Sequence, residues 1–511
     1  MIEEDNVFLV PKKGSSKDKE KDKENDKGVL KPQGKKLLPK DLHPNESILE
    51  QAHNEKNKKV FKKRKVEEVA TTESDNTTAK RSRTGTGTGT DVGVSTISKV
   101  SDDQDMCEPE TKYALTPSEN QELYSFTSKF PGLEESYRIL QKIGEGTFSS
   151  VYLAKPVAKN LLPKGIKSTV ALKRIYVTSS PQRIYNELKL LYTLRGHKNV
   201  APLLDVLRHE DQVVAVLPYY EHSDFRDFYR DLPLFGIKAY MFDLLKALEF
   251  IHSKDIIHRD IKPTNFLYDP FTRRGVLVDF GLAEIDMEPI TNKCPCSFGG
   301  YTSNMVRQLN VDYAGQFPKN GYLKDDQRPG RRANRAGTRG FRAPEVLFKC
   351  NNQSKKIDIW SAGVMLLTLL SRRFPFFNST DDIEAIMEIT NIFGITEMKE
   401  CALFHGLEFD CNIPKIKDKI SLEALIANAV MMDCKEGDTF GEDSPAWELL
   451  AAIDKKGVIQ DSEVGREYAQ AITVLKKCMV LNPYERLDAK DLLKLPFFDE
   501  FRDIPQESGS E

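Results

Sequence analysis

Polar residues with catalytic potential are concentrated in one short segment near the middle of the chain. IHRDIKPTNF, at positions 257–266, places His, Arg, Asp, Lys and Asn within eight residues between apolar flanks. Asp279 follows in VDFG, fourteen positions after Asn265. Amide and carboxylate oxygens suit Mg²⁺, which usually keeps few protein ligands and completes its shell with phosphate oxygens. The pattern therefore predicts a catalytic site in which Asn265 and Asp279 bind Mg²⁺.

A glycine-rich segment, IGEGTFSSV at 143–151, is a candidate phosphate-binding loop. Gly144 and Gly146 lack a Cβ, which lets a loop approach a phosphate closely. The pattern alone is weak, because Ser149 stands at the third glycine position and short motifs recur by chance. An ordinary hairpin turn is the alternative. The candidate nucleotide-contacting residues here are Ile143, Gly144, Glu145, Gly146, Thr147, Phe148, Ser149 and Val151.

A lysine and a glutamate further along complete the candidate site. Lys173 ends the β-branched run VALK, and Glu187 lies in the helical pattern that follows. An edge-strand lysine that points at solvent is the alternative. A buried Lys173–Glu187 pair would hold the ammonium where it meets two phosphates. The glycine-rich loop, VALK, HRDIKPTN, DFG and APE occur in this order, and the combination is far more specific than any single motif.

Two kinds of secondary structure are expected to position these residues. The stretch up to residue 220 is strand-rich, and its one helix opens with the N-cap and N1 signal Ser180-Pro181. The run VVAVLPYY reads as a buried strand that Pro218 stops. Beyond it helical patterns dominate, and KIDIWSAGVMLLTLLSRR at 356–373 is apolar nearly all round, which predicts a buried helix. The expected architecture is α+β, with a small β-rich lobe before a larger helical lobe.

The composition points to a folded core with an unfolded extension. The chain has 511 residues, a formal charge of −2 and 39% hydrophobic residues, which argues against a globally basic nucleic-acid coat. Residues 1–123 are rich in alternating charges and low-complexity sequence, so we expect a disordered tail. Its basic clusters at 58–65 and 80–83 favour a nuclear import signal. Direct DNA contact and a merely solvated tail are the alternatives.

Cysteine usage and hydropathy indicate an intracellular, soluble protein. The 8 cysteines show no paired framework, which favours free thiols in a reducing compartment. The apolar run at the N-terminus is too short for a signal peptide, and no stretch reaches the roughly 18 apolar residues of a spanning helix. We therefore expect no association with a membrane.

The ordered motifs resemble the eukaryotic protein kinase family over residues 134–500. The resemblance implies a bilobal fold, an N-lobe at 134–217, a C-lobe at 221–500, and ATP and Mg²⁺ as cofactors. It implies that Lys173 contacts the phosphates and that Asp260 accepts the proton of the substrate hydroxyl. Lys262 and Thr338 resemble the serine/threonine subclass. The residues implied to surround the adenine are Ala171, Leu217 as gatekeeper, and the hinge residues Pro218, Tyr219 and Tyr220.

Two further motif residues are given structural roles by the same resemblance. Asp358 and Trp360 resemble a central-helix DxW motif, and Glu345 of APE is implied to pair with Arg486. Every catalytic position carries its expected side chain, which favours an active enzyme over a catalytically silent scaffold.

Two insertions interrupt the kinase pattern, at about 285–330 and 396–465, and a short acidic tail occupies 501–511. The first insertion contains Cys294-Pro295-Cys296, which has the spacing of half a zinc site. No second CxxC or HxxxH follows nearby in the sequence, which argues against zinc.

An arginine-rich stretch adjoins the segment expected to receive substrate. RPGRRANRAGTRGFR, at 328–342, has six arginines and no acid. Solvated arginines with one or two internal ion pairs are one interpretation. We favour a site for an acidic or phosphorylated peptide, because guanidinium groups match carboxylate and phosphate geometry. The candidate substrate residues are Arg335, Thr338, Arg339 and Arg342.

Longer stretches resemble one subfamily, the replication-initiation kinases of the cell-division-cycle-seven type. The resemblance rests on KIGEGTFSSVY, ALKRIYVTSSPQRIYNEL, FRDFYRDLP, the CPC insertion and RANRAGTRGFRAPEVL. It implies a nuclear kinase that a regulatory subunit activates and that phosphorylates MCM helicase subunits, without direct sequence-specific nucleic-acid binding. A constitutive acidophilic kinase of the casein-kinase type and a silent scaffold are the alternatives.

Overall fold

The computed structural model describes residues 116–146, 148–158, 169–286, 294, 296, 337–407, 409, 411, 419–435 and 440–502. Most of the tail at 1–123 and of the insertion at 285–330, together with both basic clusters, lies outside the described residues. Among the described residues, no helix is long and apolar enough to cross a bilayer.

The smaller lobe is an antiparallel five-stranded sheet with one long helix beside it. Its strands are β1 Tyr137–Glu145, β2 Ser149–Pro156, β3 Val170–Ile175, β4 Asp205–His209 and β5 Gln212–Pro218, in the order β1-β2-β3-β5-β4. Helix α3, Pro181–Thr193, follows β3; the short α2, Leu133–Ser136, precedes β1. Ser180 caps α3 and accepts a hydrogen bond from the Arg183 amide, as the sequence predicted. Pro218 ends β5 because proline has no N–H to donate.

A helix that the sequence analysis assigned partly to the tail belongs to this lobe. Helix α1, Pro117–Ser128, begins at Thr116, whose side chain forms a capping box with Glu119. Phe126 is 1% exposed and stacks on Tyr152 of β2 with ring centroids 4.8 Å apart. The predicted boundary at residue 123 is therefore too late, because the first turns of α1 already belong to the folded lobe.

The larger lobe is mainly helical, as expected. Its described helices are α4 Phe225–Phe228, α5 Leu234–Ser253, α6 Pro344–Leu347, α7 Lys356–Ser371, α8 Asp382–Phe393, α9 Ile395–Phe404, α10 Leu422–Lys435, α11 Pro445–Ala452, α12 Glu463–Cys478, α13 Ala489–Leu492 and α14 Asp499–Arg502. Its strands form two short pairs, β6 Ile256–Ile257 with β9 Glu284–Ile285, and β7 Phe266–Asp269 with β8 Arg274–Leu277. The second predicted insertion thus contains α10 and α11 and most of α9.

Helix α7 lies at the centre of this lobe. Fifteen of its sixteen residues are buried, which fits the apolar sequence that predicted a buried helix. It packs against α5, α10 and α12. The α+β bilobal architecture predicted from the sequence is confirmed, and the residues with catalytic potential lie where the two lobes meet.

Candidate active site

Three charged side chains join the two lobes. The Lys173 Nζ of β3 lies 2.6 Å from the Glu187 Oε1 of α3 and 2.6 Å from the Asp279 Oδ1. Burial alone would lower the pKa of Lys173, but attraction to the two carboxylates outweighs it and raises that pKa. The Lys173 ammonium in turn holds the pKa of Asp279 well below its usual range. Lys173 and Asp279 are therefore both charged near neutral pH.

Two polar side chains of α3 that the sequence analysis did not single out fix this helix to the DFG segment. The Arg183 Nε donates to the Gly281 carbonyl at 2.9 Å, and the Asn186 Nδ2 donates to the Ala283 carbonyl at 3.0 Å. The Arg183 guanidinium also lies 3.8 Å from the centroid of the Phe148 ring in the glycine-rich loop. These contacts hold α3 where Glu187 reaches Lys173. Bonds to backbone carbonyls leave no motif in the sequence, which is why spacing did not reveal them.

Asp260 lies in a dense polar network. The Lys262 Nζ is 2.8 Å from the Asp260 Oδ2, and the Asn265 Nδ2 donates to the same oxygen at 3.1 Å. Thr338 donates to the Asp260 Oδ1 through its amide at 2.8 Å and its hydroxyl at 2.9 Å. Gly337 makes this approach possible, because a Cβ there would lie 2.3 Å from the Arg259 carbonyl oxygen. The segment beginning at Gly337 is thus held against the catalytic loop, the segment at 257–266.

A buried carboxylate on α7 shapes the catalytic loop. The Asp358 oxygens accept hydrogen bonds of 2.8 Å from the amides of both His258 and Arg259, and the His252 Nε2 lies 3.0 Å away. Arg259 has a φ of 70°, an unfavourable angle for a side chain with a Cβ. Two charge-assisted bonds to the neighbouring amides stabilise this loop conformation. The DxW resemblance thus corresponds to a definite structural role for Asp358.

The Arg259 side chain points away from solvent and forms an ion pair. Arg259 is 8% exposed, and its guanidinium contacts the carboxylate of Glu284 in β9. Strand β9 pairs with β6, which directly precedes the catalytic loop. The guanidinium next to Asp260 is therefore paired with a carboxylate of the chain itself.

A cleft of about 300 Å³ is lined by nine of the predicted site residues, which come from both lobes. The residues predicted from the sequence that line it are Gly146, Phe148, Ser149, Lys173, Glu187, Asp260, Lys262, Asp279 and Thr338. Ala171 of β3 and Leu217 of β5 are directly paired in the sheet, and Val170 and Pro218 form the neighbouring pair. Tyr219 and Tyr220 follow directly and are half-buried. Thr147 and Arg335 lie outside the described residues.

Two of the predicted substrate arginines are engaged by one carboxylate. The Arg342 Nη1 lies 2.8 Å from the Asp382 Oδ1, and the Arg339 Nε lies 3.5 Å from the same atom. Asp382 is the first residue of α8. For these two residues the geometry includes the internal ion pair that the sequence analysis gave as an alternative. Their role in substrate binding stays a prediction.

Donor atoms in the cleft and directly beside it fit a magnesium–nucleotide complex. Both hydrogen bonds from Asn265 to Asp260 use its Nδ2, which leaves its Oδ1 as the atom able to bind a metal. Asn265 Oδ1 and the ionised Asp279 are hard ligands of the kind Mg²⁺ prefers. Lys173 provides a fixed positive charge for phosphate oxygens. These residues would hold the metal and the phosphates, and the roles assigned to them stay predictions.

Comparison with known proteins agrees with this geometry. Residues 137–304 and 321–498 match the protein kinase domain family, and the break falls inside the first predicted insertion. The chain is 42% identical over 410 residues to the cell cycle serine/threonine-protein kinase hsk1 of Schizosaccharomyces pombe, covering 74% of this chain and 76% of that protein.

Two further relatives carry cell-division names. The chain is 40% identical to the probable cell division control protein 7 homolog 2 of Encephalitozoon cuniculi, covering 72% of this chain and 93% of the relative. It is 28% identical to the cell division cycle 7-related protein kinase of Homo sapiens, covering 72% and 90%. The fold, the cleft and these similarities together place the chain in the protein kinase family, among the serine/threonine kinases of the cell division cycle 7 type.

Proposed function

We propose that this kinase phosphorylates serine or threonine followed by an acidic or already phosphorylated residue, and that a regulatory subunit activates it at the start of DNA replication. The observation that carries the substrate preference is the contact between Thr338 and Asp260. Arg339, whose side chain is 38% exposed, directly follows Thr338 and so lies close in the chain to the contact with the proposed proton acceptor Asp260. A guanidinium there suits a carboxylate or phosphate on the peptide.

The side chains of the cleft have different roles in phosphoryl transfer. Asp260 accepts the proton of the attacking hydroxyl. Lys262 stabilises the negative charge that develops beside Asp260 during the transfer. Lys173, fixed between two carboxylates, neutralises phosphate charge without reorganisation during the reaction. ATP would supply the phosphoryl group, and Mg²⁺ held by Asn265 and Asp279 would neutralise the charge that develops on the transferred phosphate. The reaction thus depends on the positioning of the reactants and on electrostatic stabilisation. The side chains that provide both lie where the two lobes meet.

The partner, the protein substrates and the location are inferred from the resemblance to the replication-initiation kinases. Relatives named for the cell cycle and cell division support that role. MCM helicase subunits are the proposed substrates, and the insertions are the proposed contact with the regulatory subunit. The basic clusters at 58–65 and 80–83 support a nuclear location.

A peptide array tests the substrate preference directly. The purified chain, alone and with its stoichiometric partner, is assayed on serine peptides that carry Asp, phosphoserine, Ala or Arg at the following position. We expect the partner to raise the rate and the acidic and phosphorylated peptides to react best. The Arg339→Ala variant should lose the preference by raising KM for the acidic peptide, while the rate on the alanine peptide changes little.

Two controls separate the parts of the proposal. Asp260→Asn should lower kcat by at least about a thousandfold on every peptide, because it removes the proton acceptor. A preference for basic flanks would contradict the proposed substrate class but leave the kinase activity intact. Full activity of the lone chain would contradict the activating subunit and favour a constitutive acidophilic kinase.

A further inference from the structure

One arginine of α3 links two other parts of the active site to this helix. Arg183 stands in the first turn of α3, and its Nε donates to the Gly281 carbonyl at 2.9 Å. Its Cζ lies 3.8 Å from the centroid of the Phe148 ring in the glycine-rich loop. A single side chain on the helix that carries Glu187 therefore contacts both the DFG segment and the loop expected to cover the phosphates.

The position of Arg183 along the helix directs it into the cleft. Arg183 precedes Glu187 by four residues, and side chains at this spacing lie on the same face of a helix. Both residues line the cleft. Glu187 pairs with Lys173, and no carboxylate in the described part of the chain forms an ion pair with Arg183. The charge of Arg183 is therefore available to the electron-rich face of the Phe148 ring.

The backbone of the loop is fixed around Phe148, but its ring is not enclosed by a core. The Tyr176 amide, just after β3, donates to the Phe148 carbonyl at 2.9 Å, and the Gly146 amide donates to the Ser149 carbonyl at 2.8 Å. Phe148 is 42% exposed, so core packing does not set the orientation of its ring. The guanidinium stacked on the ring supplies an orientation that packing does not.

Two other attachments of α3 do not involve the loop. The Asn186 Nδ2 donates to the Ala283 carbonyl at 3.0 Å, and Glu187 lies 2.6 Å from the Lys173 Nζ. Both attachments would remain if Arg183 lost its contact with Phe148. The contribution that belongs to Arg183 is therefore the connection between the loop and the helix.

We propose that Arg183 is a positioning residue that couples the glycine-rich loop to α3 and the DFG segment. Nucleotide that holds the loop closed would also favour the position of α3 in which Glu187 reaches Lys173. By linkage, the loop should bind nucleotide more tightly when α3 is in that position. This inference rests on the proposed use of ATP and is independent of which peptides the kinase prefers.

The kinetics of two variants test the coupling. The full chain with its stoichiometric partner is assayed as Phe148→Leu, which removes the ring, and as Arg183→Met, which removes the charge. Phe148→Leu should raise KM for ATP about two- to fivefold, the range of a partly exposed cation–π contact, with little change in kcat. Arg183→Met should raise this KM at least as much, because it also loses the bond to Gly281. A merely structural defect would instead lower kcat and leave KM unchanged, which would contradict the proposal.

A double variant shows whether the two residues act through one contact. Arg183→Met/Phe148→Leu should have about the same KM for ATP as Arg183→Met alone, because the ring then has no charge to contact. Arg195→Met is the matched control, since the Arg195 guanidinium lies 4.2 Å from the Tyr192 ring at the other end of α3 and lines no part of the cleft. It should leave KM for ATP unchanged, and an equal increase in this control would overturn the proposal.

Hydrogen exchange provides a readout that does not depend on activity. Saturating MgADP should slow the exchange of amides at 183–187 in the wild-type chain, and Phe148→Leu should remove most of this protection although it lies in the loop. Unchanged protection in Phe148→Leu, or effects on KM that multiply in the double variant, would overturn the coupling alone. A wild-type chain that fails to bind MgADP would overturn both the coupling and the proposed use of ATP.

Discussion

The ion pair of Arg259 bears on whether the enzyme needs an activating modification. It stands beside Asp260, and its guanidinium is paired with Glu284 inside the same chain. In kinases that require phosphorylation, a phosphate on the activation segment supplies this negative charge. Here the carboxylate is permanent, and the pairing of β6 with β9 keeps it in place.

We therefore predict that the active form of the enzyme keeps its activity after phosphatase treatment. The Glu284→Gln variant should lose about fivefold or less, because an ion pair that is half exposed contributes about 1 kcal/mol at most. Rates of peptide phosphorylation measure both effects, and Glu463→Gln at an exposed position in the first turn of α12 is the control. A large loss of activity on dephosphorylation would show that Glu284 does not replace a phosphate.

At the scale of single residues, the sequence could point to those side chains whose type the expected reaction requires. Lys173, Asp260 and Asp279 were proposed because phosphoryl transfer requires a lysine and carboxylates and each stands in a recognisable motif. The structure brings all three to one cleft, and their roles stay predictions. Arg183 and Asn186 were missed, since they bind backbone carbonyls that any residue offers.

Helix α1 extends the small lobe beyond what the kinase motifs define. Phe126 packs against Tyr152, and the Arg174 guanidinium lies 5.0 Å from the centroid of the Phe126 ring. The helix escaped the sequence analysis because it is short, largely polar and preceded by low-complexity sequence. Its capping box, Thr116 with Glu119 after Pro117, was the signal that would have located it.

We predict that Phe126→Ala destabilises the protein by about 3–5 kcal/mol, the range for a buried phenylalanine reduced to alanine. Tyr124→Ala on the same helix is the control, because Tyr124 is 76% exposed and should change stability by about 0.5 kcal/mol or less. Urea unfolding of the two variants measures the difference. Equal stabilities would mean that α1 adds nothing to the folded lobe.

On the scale of the whole molecule, a buried ion pair links two distant segments of the helical lobe. Arg486 binds Glu345 through two bonds, of 2.8 and 3.2 Å, across 141 positions, and both side chains are at most 1% exposed. The bilobal fold and this pair could be predicted because they follow from a recognised pattern. The helices inside the second insertion could not be bounded, since their short apolar patterns suit several lengths.

Breaking that pair is expected to destabilise the whole lobe. Arg486→Ala leaves a buried carboxylate without its partner, which costs about 3–5 kcal/mol. Arg466→Ala removes an exposed arginine from a weak pair with Asp461 and should have an effect of about 0.5 kcal/mol or less. Thermal unfolding of both variants measures the contrast, and a similar small effect for both would contradict a structural role for Arg486.

The tail and the kinase domain are expected to act separately. We predict that replacing the basic residues of 58–65 and 80–83 by alanine reduces nuclear accumulation in cells and leaves peptide phosphorylation by the purified chain unchanged. Fluorescence imaging of a tagged chain measures the first effect. A nuclear variant, or one with reduced kinase activity, would contradict this division.

The ion pair between Asp382 and the two arginines has a consequence for substrate affinity. An acidic peptide that reaches Arg339 or Arg342 competes with Asp382, and where it displaces Asp382 its binding exchanges one carboxylate for another. Because the number of neutralised charges then changes little, affinity should fall less steeply with ionic strength than it would for unpaired arginines. The displaced carboxylate still stands in the first turn of α8, where the positive end of the helix dipole stabilises it.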